Sequence, residues 1–232
     1  MTTTQRDIAV IIPAFNEENA IGNVLREIPD TLVGEVIVVD NNSSDRTCEA
    51  ARAEGATVLS EKKQGYGAAC LRGISHLRER PVSPDVVVFL DEDYSDYPEE
   101  MVQVVQPILE DGYDMVIGSR AMGQRQRGSM TPQQVFGNWL ATRLLWWIYR
   151  VRFTDLGPFR AIRWDQLMAI DMQDQTYGWT VEMQVKAAKR GLRTTEVPVR
   201  YRKRIGHSKI AGTVKGTILA GYKILATIFK YW

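Results

Sequence analysis

Histidine and cysteine are nearly missing from this sequence, with two of each. His76 and His207 have no ligand-spaced companions, so a zinc or non-haem iron centre is not indicated. Cys48 and Cys70 lack CxxC spacing and each falls in a helical stretch, which points to two thiols in a reducing compartment rather than a disulfide framework. No apolar run reaches the ~18 residues of a spanning helix, because Lys223 interrupts the best candidate near the C-terminus. Met1 to Asp7 is polar and carries no apolar signal-peptide core, so export is not expected. Net charge is also small: +1 gives no global reason to expect nucleic acid as a partner.

What is present reads as one globular unit. A chain of 232 residues, 44% of them hydrophobic, is long enough for one substantial core. Ile8 to Ile12 and Glu35 to Val39 are apolar, β-branched runs ended by Pro13 and Asp40, the pattern of strands buried on both faces. Thr57 to Leu59, Val86 to Leu90 and Met115 to Ile117 continue the series. Between them lie helical stretches from Glu17 to Glu27, Asp45 to Glu54, Tyr66 to Arg80 and Pro98 to Glu110. This alternation predicts right-handed βαβ units, hence an α/β fold with a mostly parallel central sheet flanked by helices. After Arg120 come a Gly-, Gln- and Arg-rich loop, a helix from Pro132 to Arg150 and a strand from Phe159 to Ile162. A helix from Trp179 to Lys189, a strand from Arg193 to Val199, a basic loop and a C-terminal helix follow.

Ligands of parallel sheets bind at the carboxyl ends of the strands. Asn16 and Glu17, then Asp40, Asn41 and Asn42, then Asp91 to Asp93, then Ser119 and Arg120 all follow strand ends and should share one rim. Three consecutive carboxylates, Asp91, Glu92 and Asp93, are costly at a buried strand end unless a cation offsets them. Extended-chain alternation puts Asp91 and Asp93 on one side, where a hard divalent ion can bridge them and still take phosphate oxygens, and turns Glu92 away. A solvated acidic loop is the alternative; the strand-end position favours the ion. Gly65-Tyr66-Gly67 opens a helix, either as a weak likeness of a dinucleotide fingerprint or as glycines that let the helix start close to the sheet; both leave its backbone amides able to face a phosphate or sugar. The basic stretch Arg202 to Lys209 would help neutralise a diphosphate leaving group beside such an ion. Two helices are amphipathic. Trp139, Trp146 and Trp147 belong to the first, while Tyr222, Phe229 and Trp232 lie opposite Lys215, Lys223 and Lys230 on the second, which suits core packing and an interfacial membrane helix equally.

Taken together, Val10 to Glu17, Val38 to Asp45, Asp91-Glu92-Asp93, Gly118-Ser119-Arg120 and Arg204 to Lys209 make the chain resemble the family 2 glycosyltransferases of the GT-A fold. Within that family it looks like the dolichyl- and polyprenyl-phosphate sugar synthases. The resemblance implies that Pro13, Ala14, Asn16, Glu17 and Asp40 form a nucleoside pocket, that Asp91 and Asp93 hold Mg²⁺ or Mn²⁺, and that Arg120 contacts phosphate. It also implies that Arg204, Ser208 and Lys209 belong to a loop that closes over a nucleotide-sugar donor. Asn42, Gly65 and Glu92 complete the donor-side candidates on the same rim. The expected organisation is a catalytic domain over 1–211, its nucleotide-binding half at about 1–120 and its acceptor half at about 121–211, followed by the amphipathic helix 212–232. A lipid-phosphate acceptor, an inverting reaction and a peripheral place on the cytosolic membrane face are implied as well. Departures fall on the acceptor side. Gln133-Gln134 stands in the helix region where lipid-phosphate members carry a basic residue and a serine, and Thr154 to Arg160 is an unusual proline-bound turn.

Chemistry separates the possible acceptors. A phosphate monoester is mostly dianionic at pH 7 and attacks an anomeric carbon without a protein base, so it needs cations nearby. A hydroxyl acceptor needs a carboxylate, and Asp155 or Glu182 could serve; Asp155 is the polar group expected closest to the reacting centre. Two further classes stay open. A sugar nucleotidyltransferase shares the sheet and metal carboxylates but needs a glycine-rich basic loop after the first strand, where Pro13 to Glu17 stands. A non-catalytic donor-binding or membrane-docking subunit would bind donor without transfer.

Overall fold

The computed structural model describes residues 7–206 and 214–232. The described residues form seven strands: β1 (Ile8–Ala14), β2 (Glu35–Asp40), β3 (Thr57–Ser60), β4 (Val86–Phe89), β5 (Met115–Ser119), β6 (Arg160–Arg163) and β7 (Thr194–Pro198). They form one sheet in the order β3-β2-β1-β4-β6-β5-β7. Only β6 runs against the others, pairing antiparallel with β4 and β5. A mostly parallel sheet flanked by helices is the predicted class. The carboxyl ends of β1, β2, β4 and β5 therefore share a rim, and the reversed β6 starts at that rim, so the segment before it reaches the same place.

Each strand of the centre is buried on both faces, so alternate residues serve two cores. Ala9 and Ile11 of β1 pack with Ile74 and Leu77 of α3 (Tyr66–Arg78), while Val10 and Ile12 pack with Ile21 and Val24 of α1 (Ile21–Arg26). Gly73 makes the α3 contact possible: a Cβ there would lie 2.8 Å from Ile11 Cγ2. The first helix is shorter than its apolar pattern suggests. Glu17 and Glu18 give their backbone N–H groups to Thr47 Oγ1 and Asp45 Oδ2, at 2.8 and 3.1 Å, and so stand outside the helix as part of the rim.

The remaining helices are α2 (Thr47–Ala53), α4 (Met101–Asp111), α5 (Pro132–Tyr149), α6 (Trp164–Ile170), α7 (Trp179–Lys189) and α8 (Val214–Lys230). Pro98 to Glu100, expected as the start of α4, is a separate 3₁₀ turn. The α5 boundaries follow its sequence signals: Thr131 and Gln134 make a capping box, Pro132 opens the first turn, and Arg150 closes the helix in the left-handed region. The short α6 is unannounced in the sequence; it has no side-chain cap and is held by burial of Leu167 and Ile170. The C-terminal helix packs onto the body, with Tyr149 Oη donating to Ile228 O at 2.6 Å and Lys223 paired with Asp174 at 3.0 Å. Ser208 and Lys209, and the expected boundary at 211, lie outside the described residues.

Candidate active site

The acidic strand end is the centre of the rim. Strand β4 stops at Phe89 and residues 91–97 run through bends, with Tyr94 at φ 63°, so the strict alternation expected for Asp91 to Asp93 does not hold. Glu92 is half-buried there. Burial raises its carboxyl well above the ordinary range, and the charges of Asp91, Asp93 and Glu17 add to that. Asp93, 3% exposed, accepts from Ser95 N at 2.9 Å and pairs with Arg204 Nη1 at 2.7 Å. Asp91 has a buried Oδ1 with no hydrogen-bond partner among the described residues. Burial, and then Asp93, push its carboxyl up to about 7. Among the described residues no three His, Cys, Asp or Glu side chains are arranged to hold an ion. A site here offers two carboxylates and must draw its other oxygens from substrate and water, as Mg²⁺-type sites commonly do.

The acidic and basic blocks, a hundred residues apart in the chain, close onto each other. Arg200 pairs with Glu99 at 2.9 Å and with Glu100, and lies 4.0 Å above the Tyr97 ring. Arg202 pairs with Glu27 at 2.7 Å and lies 3.3 Å from the Tyr94 ring centre. Arg204 completes the series on Asp93, where Ile205 N also donates to the Asp93 carbonyl at 3.0 Å. Gly206 then comes within reach of Glu17, since a Cβ there would be 3.9 Å from its Oε2. The basic stretch thus covers the acidic rim from Glu99 to Glu17.

Beside it, Ala14 and Asp40 are register partners at the ends of β1 and β2, with Pro13 buried one residue earlier. Asn16, at φ 54°, accepts from Ser44 N at 2.7 Å, and Asp40 Oδ1 accepts from Ser43 N at 3.2 Å. These bonds tie the two strand ends into one cleft, on whose edge Asn42 is exposed at φ 69°. Gly65 belongs to the framework of that cleft. Its N–H donates to Asn41 Oδ1 at 2.7 Å, and the following amides, of Gly67 and Ala68, donate to Thr176 O and Gln175 O. A Cβ on Gly65 would sit 2.1 Å from Gln175 O. The α3 start is therefore close-packed against a loop, with its amides already taken, and the expectation of ligand-facing amides is set aside.

Two expected catalytic carboxylates are committed elsewhere. Asp155, 1% exposed, accepts from Arg120 Nε at 2.8 Å, Nη2 at 2.7 Å and backbone N at 2.8 Å. Despite burial, Arg120 holds the Asp155 carboxyl below its ordinary range, which disqualifies it as a base. Arg120 is in turn occupied by this bidentate bond and stacks over Tyr201 at 5.1 Å, so its charge is largely balanced before any phosphate arrives. Glu182 is fully buried in α7. It accepts from Asp174 N at 2.7 Å and Tyr231 Oη at 2.6 Å and pairs with Lys186 at 2.8 Å, binding the C-terminus and a loop to the body. It is a structural anchor rather than a base. Arg160, fully buried and pulled down to about 10 by burial, pins the Asp155 segment through Leu156 O and Thr180 O at 3.2 and 2.9 Å.

One residue in the acidic block was not singled out by sequence. Asp96 is 2% exposed and neither carboxylate oxygen has a hydrogen-bond partner among the described residues. Burial, then Asp91, raise its carboxyl well above the ordinary range, and Arg120 opposes the rise. The charges of Asp91 and Asp93 on one hand and of Arg120 and Asp155 on the other all act on it. Its charge is visible in the sequence, but its seclusion depends on Tyr201 and Arg202 arriving from the far end of the chain.

A pH dependence follows. An acid whose folded-state pKa exceeds its unfolded value binds a proton on folding, so the fold weakens as pH rises between the two. For Asp91 that window runs from about pH 4 to about 7. Ion-free protein should lose Tm across this window, and Asp91→Asn should reduce the slope there. An undiminished slope in the variant, measured by calorimetry, would assign the effect to other groups.

Residues 9–170 match the family described as Glycosyl transferase family 2. The dolichyl-phosphate hexose transferase of Haloferax volcanii is 36% identical over 210 residues, covering 88% of this chain and 86% of that protein. The undecaprenyl-phosphate mannosyltransferase of Micrococcus luteus is 30% identical over 221 residues, covering 90% of this chain and 89% of that protein. Among solved structures, glucosyl-3-phosphoglycerate synthase from Mycobacterium tuberculosis, in complex with Mn²⁺, UDP and glucosyl-3-phosphoglycerate, aligns with a TM-score of 0.75 at 26% identity, over 97% of this chain and 80% of that one. Match, relatives and sheet agree: the chain is an enzyme of the GT-A fold and belongs to glycosyltransferase family 2.

Proposed function

We propose that the chain moves a hexose from a UDP- or GDP-sugar to the phosphate of a polyprenyl or dolichyl lipid, with inversion at the anomeric carbon. The observation that carries this is on the acceptor side. Asp155 is locked to Arg120, and the groove beside it adds Arg125 and Arg143 but no second carboxylate. Cations without a free base suit an acceptor that is already an anion. The names of the Haloferax and Micrococcus relatives point to the same acceptor class.

In the reaction, an acceptor phosphate oxygen attacks the anomeric carbon as the bond from that carbon to the diphosphate oxygen breaks. The electron pair leaves with the nucleoside diphosphate, and no proton needs to move. Pro13, Ala14, Asn16, Glu17 and Asp40 line the nucleoside cleft. Asp91 and Asp93 would hold Mg²⁺ or Mn²⁺, which when bound supplies positive charge to the departing diphosphate; the unpartnered Asp91 Oδ1 fits that demand. Arg204, already on Asp93, adds a second positive charge at the same point.

No described helix is long and apolar enough to cross a membrane. A peripheral position on the cytosolic face is supported instead by exposed Phe136, Trp139 and Trp147 of α5, Tyr222 and Phe229 of α8, and Trp232 just beyond it. The test is transfer from labelled UDP- and GDP-sugars, with Mn²⁺, to liposomes carrying undecaprenyl phosphate. Phosphate-dependent labelling of the lipid, with protein floating alongside, is expected. Labelling of undecaprenol instead would reverse the acceptor assignment.

A second reading has one observation behind it, the secluded carboxyl of Asp96, which is the sort of group a general base requires. It predicts a hydroxyl acceptor and loss of transfer in Asp96→Asn.

A further inference from the structure

We infer that the groove between α5 and the loop 121–130 seats the acceptor's phosphate, with Arg125 and Arg143 as its cations and Trp139 against the first isoprene units. This rests on the acceptor class proposed above and assigns its place. The groove has a volume of about 370 Å³, and its inner wall is Phe153, Thr154 and Asp155, so it ends against the Arg120–Asp155 pair at the rim.

Two polar side chains of the early turns of α5, Gln134 and Asn138, are committed within the fold. Gln134 is spent in the capping box with Thr131. Asn138 donates to Thr154 O at 2.9 Å and accepts from Leu156 N at 2.8 Å, which fixes the segment that carries Asp155. Arg125 and Arg143, by contrast, form no ion pair among the described residues. The only contacts of their guanidinium groups there are soft ones, Arg125 with Met130 Sδ at 3.3 Å and Arg143 over the Trp146 ring at 6.0 Å. Both side chains line the groove, and neither is buried by other parts of the chain. Two guanidinium forks without carboxylates match the oxygens of a phosphate monoester.

The rest of the lining is apolar, through Met130, Val135, Trp139 and Phe153. That wall does not end in the groove. Trp139 is 52% exposed and Phe136, 61% exposed, has its ring centre 5.8 Å from the Trp139 ring, so an apolar surface continues from the cations onto the outer face of α5. A small soluble phosphate would use the arginines and leave this surface in water. An amphiphile with a phosphate head and a long branched tail uses both, and the groove is too small to hold more than the head and the first units of such a tail. The tail therefore leaves along α5 toward the aromatic face proposed for the membrane.

The test uses the full chain and three soluble probes, geranyl phosphate, geraniol and 3-phosphoglycerate, with binding followed by tryptophan fluorescence and calorimetry. Wild type should bind geranyl phosphate more tightly than either other probe. Arg125→Gln and Arg143→Gln should each weaken geranyl phosphate by ~10-fold or more, the loss expected for a charge-assisted contact. Both sites are exposed, so the fold should persist, and stabilisation by UDP- or GDP-sugar with Mn²⁺ should match wild type. Unchanged affinity for geranyl phosphate in both variants would overturn the groove assignment while leaving the acceptor class standing. Equal or tighter binding of 3-phosphoglycerate would overturn the amphiphile. No affinity of wild type for geranyl phosphate would overturn the acceptor class itself, and the groove with it.

Discussion

Asp93→Ala is expected to lower kcat for transfer by ~10³-fold or more and to abolish the metal-dependent part of donor binding. The carboxylate has two roles at one place. It is one of the two strand-end carboxylates proposed above to hold the ion, and no set of three His, Cys, Asp or Glu ligands exists among the described residues. It also holds Arg204 at 2.7 Å, so its removal releases the cation that the basic stretch brings to the rim. The Ile205 bond is made to the Asp93 backbone carbonyl and survives the substitution, which should keep the stretch near its place and the protein folded. Arg204→Gln separates the two roles. It should retain Mn²⁺-dependent stabilisation by donor, seen as a shift in Tm, and lose ~10–100-fold in kcat, because one of two sources of positive charge is left. Full activity of wild-type protein in excess chelator would sink the ion's role, and Asp93→Ala with normal turnover would sink the residue's.

How far the sequence discloses this site depends on how local each feature is. The runs Ile8 to Ile12, Glu35 to Val39 and Val86 to Leu90 declare strands buried on two faces, and the rule that ligands gather at their carboxyl ends brings Asn16, Asp40, Asp91 and Ser119 to one rim without any coordinates. Long-range pairing is not declared. The stretch Arg202 to Lys209 reads as positive charge for a diphosphate, but not as the partner of particular carboxylates: Arg200 and Arg204 meet carboxylates from the 93–100 segment, and Arg202 meets Glu27 and carbonyls of that segment. Nothing in local composition carries a partner a hundred residues away. The same blindness made Asp155 and Glu182 look like free bases. Their burial comes from elements distant in sequence, Arg120 in one case, Lys186 with Tyr231 in the other. The side that Glu92 faces is not legible for a different reason: alternation is a property of strands, and β4 ends at Phe89.

Asp155→Ala should cost about 3–5 kcal/mol of stability, the usual penalty for stripping the partner from a buried charge. Arg120 makes two side-chain bonds to Asp155 and a third through its backbone, and the side chains are 12% and 1% exposed. Without Asp155 the guanidinium is left in a buried place with only the Tyr201 ring and the distant Asp96 to face it. For a domain of this size the loss corresponds to a fall of roughly 6–20 °C in Tm. Replacing both partners by apolar residues, Arg120→Met with Asp155→Leu, should recover much of that loss, because it also removes the desolvation cost of the pair. The pH sign agrees. Asp155 is held below its ordinary carboxylate range, so its stabilisation is present above about pH 4 and is lost as pH falls through its folded-state value. A catalytic base would behave otherwise: Asp155→Asn would then abolish turnover on a hydroxyl acceptor at unchanged Tm. A large drop in Tm with activity recovered at low temperature identifies Asp155 as the residue that positions Arg120. An intact Tm with no activity would return it to the reaction centre.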